Sequence, residues 1–494
     1  MIVKTEGNIN KYYVQSLCML FFPGAKFAEG EEEAKGVPVV QVSLREAETG
    51  VEAFASIKLD TKMKTGSRFE KYKKTYTKNR TAKIAVGIAV FEAGKRFFGT
   101  VPPWGILTGV RPAKIAAEML DSGMDFAAVK KTLEKEYFLN PKKSTLVTEI
   151  ATVEKEIIDN TDKDACSVYI SIPFCPSRCA YCSFVSYATP RLLSLIPDYL
   201  ERLKSDIDRM FETIRKVGKK VVTVYIGGGT PTVLDEHQLE DLLSKIAENV
   251  DVSSLKEFTL EAGRPDTVTK EKLETAARYG VTRVSINPQT LNDNVLKQIV
   301  RKHTAEDFYN AYNIAKESGI KYINTDLIAG LPGDTFPGFS KTVDAILKLS
   351  PDNLTVHTFC VKKSADILRY NSDVYSRGGG DTPKSVSYAL VKTKNAGYLP
   401  YYIYRQKNTV GNLENVGYAK PGSEGLYNIY MMEDVHTVFA CGAGAVTKLI
   451  SGGDKPMKRV AFPKYPYEYL DMCKEEGKID GIFEEIIDYF NVEE

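Results

Sequence analysis

Six short β-branched runs recur between residues 161 and 358, and their rhythm restricts the fold more than any other feature. The runs are CSVYISIP (166–173), VVTVYIGG (221–228), EFTLEAG (257–263), VTRVSINP (281–288), YINTDLIAG (322–330) and NLTVHTF (353–359). Helical stretches such as YLERLKSDIDRMFETI and LEDLLSKIAENV separate them. Near-continuous apolar strands alternating with helices imply a parallel sheet covered by helices. Six units predict an open, partial α/β barrel rather than a full eight-stranded one. Polar or glycine-rich residues close nearly every run, at the strand ends where parallel α/β folds build their sites.

The flanks differ in texture. Residues 1–160 open with strand-like VPVVQVSL (37–44) and KIAVGIAVFEA (83–93) and turn helical from about Ile115. PPWGILTGVRP (102–112) carries Pro at both ends and the single Trp, and is expected to be an ordered turn with Trp104 packed in a core. Residues 359–494 mix Gly- and Tyr-rich segments with an acidic helical tail. Three domains follow as an expectation: 1–160, 161–358 and 359–494.

Lys and Arg (66) nearly cancel Asp and Glu (64), so no general field favours nucleic acid or anionic membrane. No stretch approaches the ~20 apolar residues of a spanning helix. The apolar patch in MIVKTEGNINKYYVQSLCMLFF is interrupted by polar residues, and no small-residue cleavage site follows. A cytoplasmic protein is expected. Eight cysteines in 494 residues are too few for a disulfide framework and point to metal or redox chemistry.

Three of the eight stand close together in YISIPFCPSRCAYCSF, as Cys175, Cys179 and Cys182. Structural zinc sites normally take four protein ligands, as do ordinary [4Fe–4S] clusters. Three ligands leave one position open, where a cluster could coordinate and reduce a bound cofactor. Spacing alone keeps zinc in play. Cys18, Cys166, Cys441 and Cys473 read as ordinary thiols, and Cys360 follows the sixth strand. His237, His303, His357 and His436 have no spacing typical of a metal site.

Cys-x-x-x-Cys-x-x-Cys with an aromatic residue, Tyr181, directly before the last cysteine resembles the radical S-adenosylmethionine (SAM) signature. The resemblance implies an α/β fold with a partial (β/α)6 radical SAM barrel, flanked here by an added α+β N-terminal domain and a C-terminal α/β extension that covers the substrate. It also implies a [4Fe–4S] cluster on the three cysteines. The open iron of such a cluster holds SAM, whose reductive cleavage yields a 5′-deoxyadenosyl radical.

A narrower likeness is carried by YISIPFC (169–175), GGGTP (227–231), Gln289 with Arg301, and DLIAGLPG. These resemble the oxygen-independent coproporphyrinogen III oxidases. PPWGILTGVRPAK and YYIYRQKNTVGNLENVGYAKPG point to the HemZ-type branch, named coproporphyrinogen dehydrogenase. The resemblance implies that Tyr181, Gly227, Gly228, Gly229, Thr230, Glu261, Gln289, Arg301, Asp326 and Ile328 bind SAM. It places Tyr169 near SAM and substrate as the catalytic candidate. It further implies a tetrapyrrole substrate, oxidative decarboxylation of coproporphyrinogen III, and a reduced flavodoxin- or ferredoxin-type donor, with no nucleic acid or membrane partner. Arg405 is a weaker candidate for a substrate carboxylate. The chain departs from the oxidases at Ser171, where they carry histidine, and at Phe184, where they carry a further cysteine.

Overall fold

A computed structural model describes residues 1–28, 35–182, 186–360, 380–406, 409–451, 455–472 and 478–491. Its contacts divide the chain into two compact units, one of Met1–Thr152 with Ile403–Asn412, the other of Val153–Tyr402 with Leu413–Glu494.

The N-terminal unit holds a four-stranded sheet in the order β1 (Ile2–Glu6), β2 (Val39–Ala47), β3 (Gly50–Leu59) and β4 (Lys62–Lys71). β1 runs parallel to β2, and the β2–β3–β4 pairings are antiparallel. The segment Lys83–Ala93, expected to be a strand, lies instead inside the helix Lys78–Phe98. Its alternating Ile84, Val86, Ile88 and Val90 imitate a strand because the helix is buried nearly all round, so polar residues do not mark its period. Thr77 caps its start by accepting from the Arg80 N–H at 3.1 Å. At its far end Gly99 ends the helix in a left-handed conformation. The 102–112 segment is a turn as expected, and Trp104 is buried in it at 1% exposure.

The second unit is built on an open sheet that continues beyond the six expected strands. These are β5 (Ala165–Ile172), β6 (Lys220–Gly228), β7 (Glu257–Glu261), β8 (Arg283–Ser285), β9 (Tyr322–Ala329) and β10 (Asn353–Thr358), all parallel to one another. β11 (Leu399–Arg405) and β12 (Glu414–Ala419) extend the sheet past β10. Past β5 the order is β13 (Val438–Cys441), β14 (Val446–Leu449) and β15 (Lys458–Ala461). β13 lies parallel to β5, which makes it a seventh parallel strand supplied by the C-terminal sequence.

Helices cover this sheet with apolar stripes. In Ile196–Lys216 the buried side chains Tyr199, Leu203, Ile207, Met210 and Ile214 recur every three to four residues. Each stabilises the layer by about 1.5–3 kcal/mol relative to exposure. The strand register then aligns the chemistry: Ile172 sits beside Gly228, Glu261 beside Ser285, and Asp326 beside Thr355. Ile172, Gly228, Glu261 and Ser285 are the last residues of their strands, whereas Asp326, expected at a strand end, lies mid-strand with Thr355.

Candidate functional site

β5 ends at Ile172 and delivers the cysteine loop. Backbone bonds pin that loop: Cys175 donates to the Tyr187 carbonyl at 3.0 Å, Tyr187 to Pro173 at 2.8 Å and Ala180 to Ile299 at 2.9 Å. Cys175 and Cys179 are buried, Cys182 is half-buried, and all three are free thiols. Among the described residues no three His, Cys, Asp or Glu side chains form a group that would hold a metal ion as it stands. The thiols nevertheless act on one another. Burial, followed by the charges of Cys182 and Cys179, pushes the Cys175 thiol up to about 11 despite its contact with Thr230. A cation bound by the loop would relieve that cost, because thiolates are the form that ligates metal. This donor set fits an iron–sulfur cluster held through three sulfurs.

Two buried arginines face the same sulfur. Arg264 Nη1 lies 3.7 Å from Cys179 Sγ, while its other guanidinium bonds go to Ser177 and Asp266. Arg301 Nη1 lies 3.9 Å from that sulfur and donates to the Tyr181 hydroxyl at 3.2 Å. Arg301 also donates to the Gly263 carbonyl, to the Asn287 carbonyl at 2.5 Å and to His303 Nδ1 at 3.2 Å. Burial, reinforced by Arg301, lowers the His303 pKa to about 3, so its ring stays neutral and can accept that bond.

The glycine run closes β6 against this loop. Gly228 has φ +113, and a Cβ there would lie 2.8 Å from the Ile172 carbonyl oxygen, so glycine is required. A Cβ at Gly229 would press on the Phe174 carbonyl and lie 3.0 Å from Cys175 Sγ; at Gly227 it would meet the rings of Tyr225 and Tyr169. Thr230 donates its N–H to Phe174 at 2.7 Å, and its hydroxyl lies 3.3 Å from Cys175 Sγ. The three glycines therefore let β6 pack directly against the cysteine loop, with backbone in place of side chains beside the Cys175 thiol.

β7 and β9 bring Glu261 and Asp326 together. Asn287 links them, donating to Glu261 Oε1 at 2.7 Å and accepting from the Asp326 N–H at 3.1 Å. Burial first, then the charge on Asp326, raises Glu261 to about 7, while Tyr225, Ser285 and Asn287 oppose the shift. Burial also acts on Asp326, but His357, Asn324 and Thr355 outweigh it and leave its pKa lowered. His357 Nε2 stands 3.5 Å from Asp326 Oδ2. The result is one carboxylate and one readily protonated carboxyl, an asymmetric pair suited to a polar ligand.

Gln289 follows on the next turn with φ +67. Its N–H bonds the Asp326 carbonyl at 3.0 Å, and its carbonyl accepts from Ile328 at 2.9 Å. Its side-chain Oε1 is buried without a hydrogen-bond partner among the described residues. A buried orphan acceptor is costly, and a donor such as the ammonium of an amino-acid ligand would satisfy it. The carboxyl pair and this orphan acceptor, beside the side-chain-free backbone of the glycine run, fit SAM.

Tyr169 stacks within a group of three rings. Its centroid lies 6.1 Å from Tyr225 and 6.2 Å from Tyr427, and those two are 4.6 Å apart. The Tyr225 hydroxyl donates to Glu261 Oε2. Thus the three cysteines, the expected SAM-binding positions and Tyr169 are linked by contacts into one group, with Ile328 joined through its backbone, whereas Arg405 is not part of it.

Four residues were missed. Arg264 looks like a solvated charge in the run GRPD, and Asn287 like a turn residue before Pro288. Tyr225 alternates as any strand aromatic would. Tyr427 comes from the distant helix Leu426–Glu433, which nothing local connects to the barrel. Arg405 is engaged in the N-terminal unit, with the Leu107 and Asn412 carbonyls and with the Trp104 ring at 5.0 Å. Phe184 and Cys473 lie outside the described residues.

Comparisons with known proteins bear on the family and the fold. Residues 169–346 match the radical SAM superfamily. The chain is 35% identical over 468 residues to the "oxygen-independent coproporphyrinogen-III oxidase-like protein HemZ" of Bacillus subtilis, covering 92% of each chain. It is 31% identical to the "heme chaperone HemW" of the same organism, over 63% of this chain and 76% of that one. Among solved structures, coproporphyrinogen III oxidase (HemN) from Escherichia coli shares the fold at TM-score 0.51 and 22% identity, over 66% of this chain and 73% of that one. The chain therefore belongs to the HemZ-like family of the radical SAM superfamily, whose cofactors are a [4Fe–4S] cluster and SAM.

Proposed function

We propose that the chain is a radical SAM oxidoreductase that decarboxylates coproporphyrinogen III to protoporphyrinogen IX without oxygen, as a step of haem biosynthesis. The observation that carries the radical chemistry is the placement of three free thiols against the closely packed glycine run Gly227–Gly229 and near the Glu261–Asp326 pair. The substrate follows from likeness to the HemZ protein. When bound, the cluster and SAM supply a primary carbon radical able to take hydrogen from an unactivated C–H bond.

In this reading Cys175, Cys179 and Cys182 hold the cluster, and Arg264 and Arg301 stabilise its negative charge through Cys179. Tyr181 is fixed by Arg301. Gly227, Gly228, Gly229 and Thr230 admit the methionine end of SAM, and Gln289 Oε1 accepts from its ammonium. Glu261, Asp326 and Ile328 complete the pocket. Tyr169, stacked on Tyr225 and Tyr427, orients the substrate as a wall of the interior and helps exclude water. Residues 161–358 are the catalytic barrel, 359–494 cover the substrate, and 1–160 form a separate domain. Among the described residues no helix is long and apolar enough to cross a membrane. A cytoplasmic enzyme fed by a reduced flavodoxin- or ferredoxin-type donor, without nucleic acid or membrane partners, completes the proposal.

A second reading is haem delivery, favoured by likeness to the heme chaperone, and Ser171 is the departure from the oxidases that weighs against the first. Where the oxidases carry histidine, the Ser171 hydroxyl is buried and donates to the Ala443 carbonyl at 2.9 Å. A different tetrapyrrole reaction, such as methylation or haem opening, is the remaining alternative. Incubating anaerobically reconstituted protein with SAM, reductant and coproporphyrinogen III separates these. The expected product is protoporphyrinogen IX with 5′-deoxyadenosine. Deoxyadenosine without that product removes the oxidase reading. Tight haem binding that survives replacement of all three cysteines by Ala supports delivery.

A further inference from the structure

The N-terminal unit contains a cavity of about 370 Å³ that the proposed reaction does not use. One side is apolar, formed by Ile84, Ile106, Leu107 and Ile115. Ile106 and Leu107 come from the 102–112 turn, so the segment singled out in the sequence is a wall of this cavity. Gly87 allows the walls to converge: a Cβ there would lie 2.6 Å from the Tyr13 hydroxyl and 3.0 Å from Ile106 Cδ1.

The other side is rich in donors. Arg80 is held by Glu118 at 3.2 Å, donates to the Tyr137 hydroxyl at 2.9 Å, and stacks over Tyr76 at 4.2 Å. Tyr137 accepts from Arg80, and its own hydroxyl proton goes to no described acceptor. The Tyr13 hydroxyl likewise has no hydrogen-bond partner among the described residues, and both rings line the cavity. Lys83 stands exposed at the same cavity, with no ion pair among the described residues. Two cations against one carboxylate leave a single positive charge, with two phenolic donors beside it. Such a surface suits one carboxylate oxygen pair. The volume lies at the low end of the ~300–1,000 Å³ typical of small-molecule pockets, too tight for a ligand of macrocycle size.

We propose that this cavity binds a small monocarboxylate with an apolar body, its carboxylate on Arg80, Lys83 and the two tyrosine hydroxyls and its hydrocarbon part against the isoleucine wall. The site lies wholly within one unit and is independent of the radical chemistry.

The only tryptophan of the chain, Trp104, is two residues from Ile106 and makes its fluorescence a direct reporter. The full-length protein is titrated with 4-phenylbutyrate and, as the uncharged counterpart, 4-phenylbutanol. A saturable change is expected with the carboxylate, and binding of the alcohol weaker by about tenfold or more, the scale of one lost charge-assisted contact. Lys83→Glu and Tyr13→Phe should each weaken the carboxylate without changing the circular dichroism spectrum. Ile115→Phe, which fills the cavity from a partly exposed position, should abolish it. Absence of saturation, equal binding of acid and alcohol, or unaltered binding in Ile115→Phe each overturns the proposal. Because iron content and SAM cleavage do not enter the readout, these results are independent of the oxidase reading.

Discussion

Glu261 shows how a single buried group ties the site to pH. Burial, then the neighbouring Asp326 charge, holds its proton to about 7 in the folded chain, against an ordinary 4.5. The folded state therefore binds this proton more tightly than the unfolded chain. The resulting stabilisation is complete below about pH 4.5 and is lost as pH rises through about 7. Glu261→Gln removes the titration while keeping the shape. The unfolding midpoints of the two ligand-free proteins should lie close together at low pH, with the variant gaining on the native chain as pH rises to 7.5 or so. Parallel curves would show that Glu261 ionises freely. Asp326 carries the opposite sign: its lowered pKa stabilises above the ordinary value of 3.8 and loses that effect as pH falls. At this scale Glu261, Asp326 and the glycines were legible only through the family resemblance, since each alone has the pattern of a solvated charge or a turn. The sequence was silent on Arg264, because an arginine followed by Pro-Asp has the same local pattern whether solvated or, as here, 3% exposed beside a sulfur.

At the scale of elements, the parallel strands were legible because burial on both faces leaves continuous β-branched runs. The same rule misled at Lys83–Ala93, where burial of a helix also erased the polar face. What separates the two outcomes is close packing, which local pattern does not encode. A Cβ on Gly66 of β4 would meet the Ala89 carbonyl and lie 2.7 Å from the Ala93 nitrogen, so this helix rests directly on the strand backbone. Backbone cannot rotate aside as a side chain can. Gly66→Ala should therefore cost about 2 kcal/mol through overpacking. Gly109, where a Cβ meets nothing within 4 Å, is the matched control. Gly109→Ala should change stability by no more than ~0.5 kcal/mol. Urea unfolding of both variants measures the difference, and equal midpoints would remove the close-packing account. The register of β13 beside β5 was hidden for a related reason, since the two strands lie more than 260 residues apart in the chain.

Across the whole second unit, the barrel must hold its strand ends open for ligands while its opposite end stays closed. Arg283 on β8 performs the closure. It pairs with Glu257 at 3.2 Å, bonds Asn353 on β10, and donates to the Ser423 and Glu424 carbonyls at 2.9 and 3.1 Å. Glu257 in turn accepts from the Leu426 and Tyr427 backbone N–H groups at 2.9 and 3.3 Å. Three strands, β7, β8 and β10, and the chain entering the helix Leu426–Glu433 are thus joined around one ion pair, which carries Tyr427 to Tyr225 and Tyr169. Both charges are almost fully buried, so removing one leaves the other unpaired in a poorly solvated place. Arg283→Met should destabilise the unit by about 3–5 kcal/mol, whereas Arg283→Met combined with Glu257→Gln should recover part of that loss. The double variant still lacks the bonds to Ser423 and Glu424, so its ring stack should remain loosened even where stability returns. Near-ultraviolet circular dichroism of the tyrosines, read beside the unfolding midpoint, distinguishes the two effects. Full recovery of both would mean that the C-terminal segment holds Tyr427 in place without Arg283.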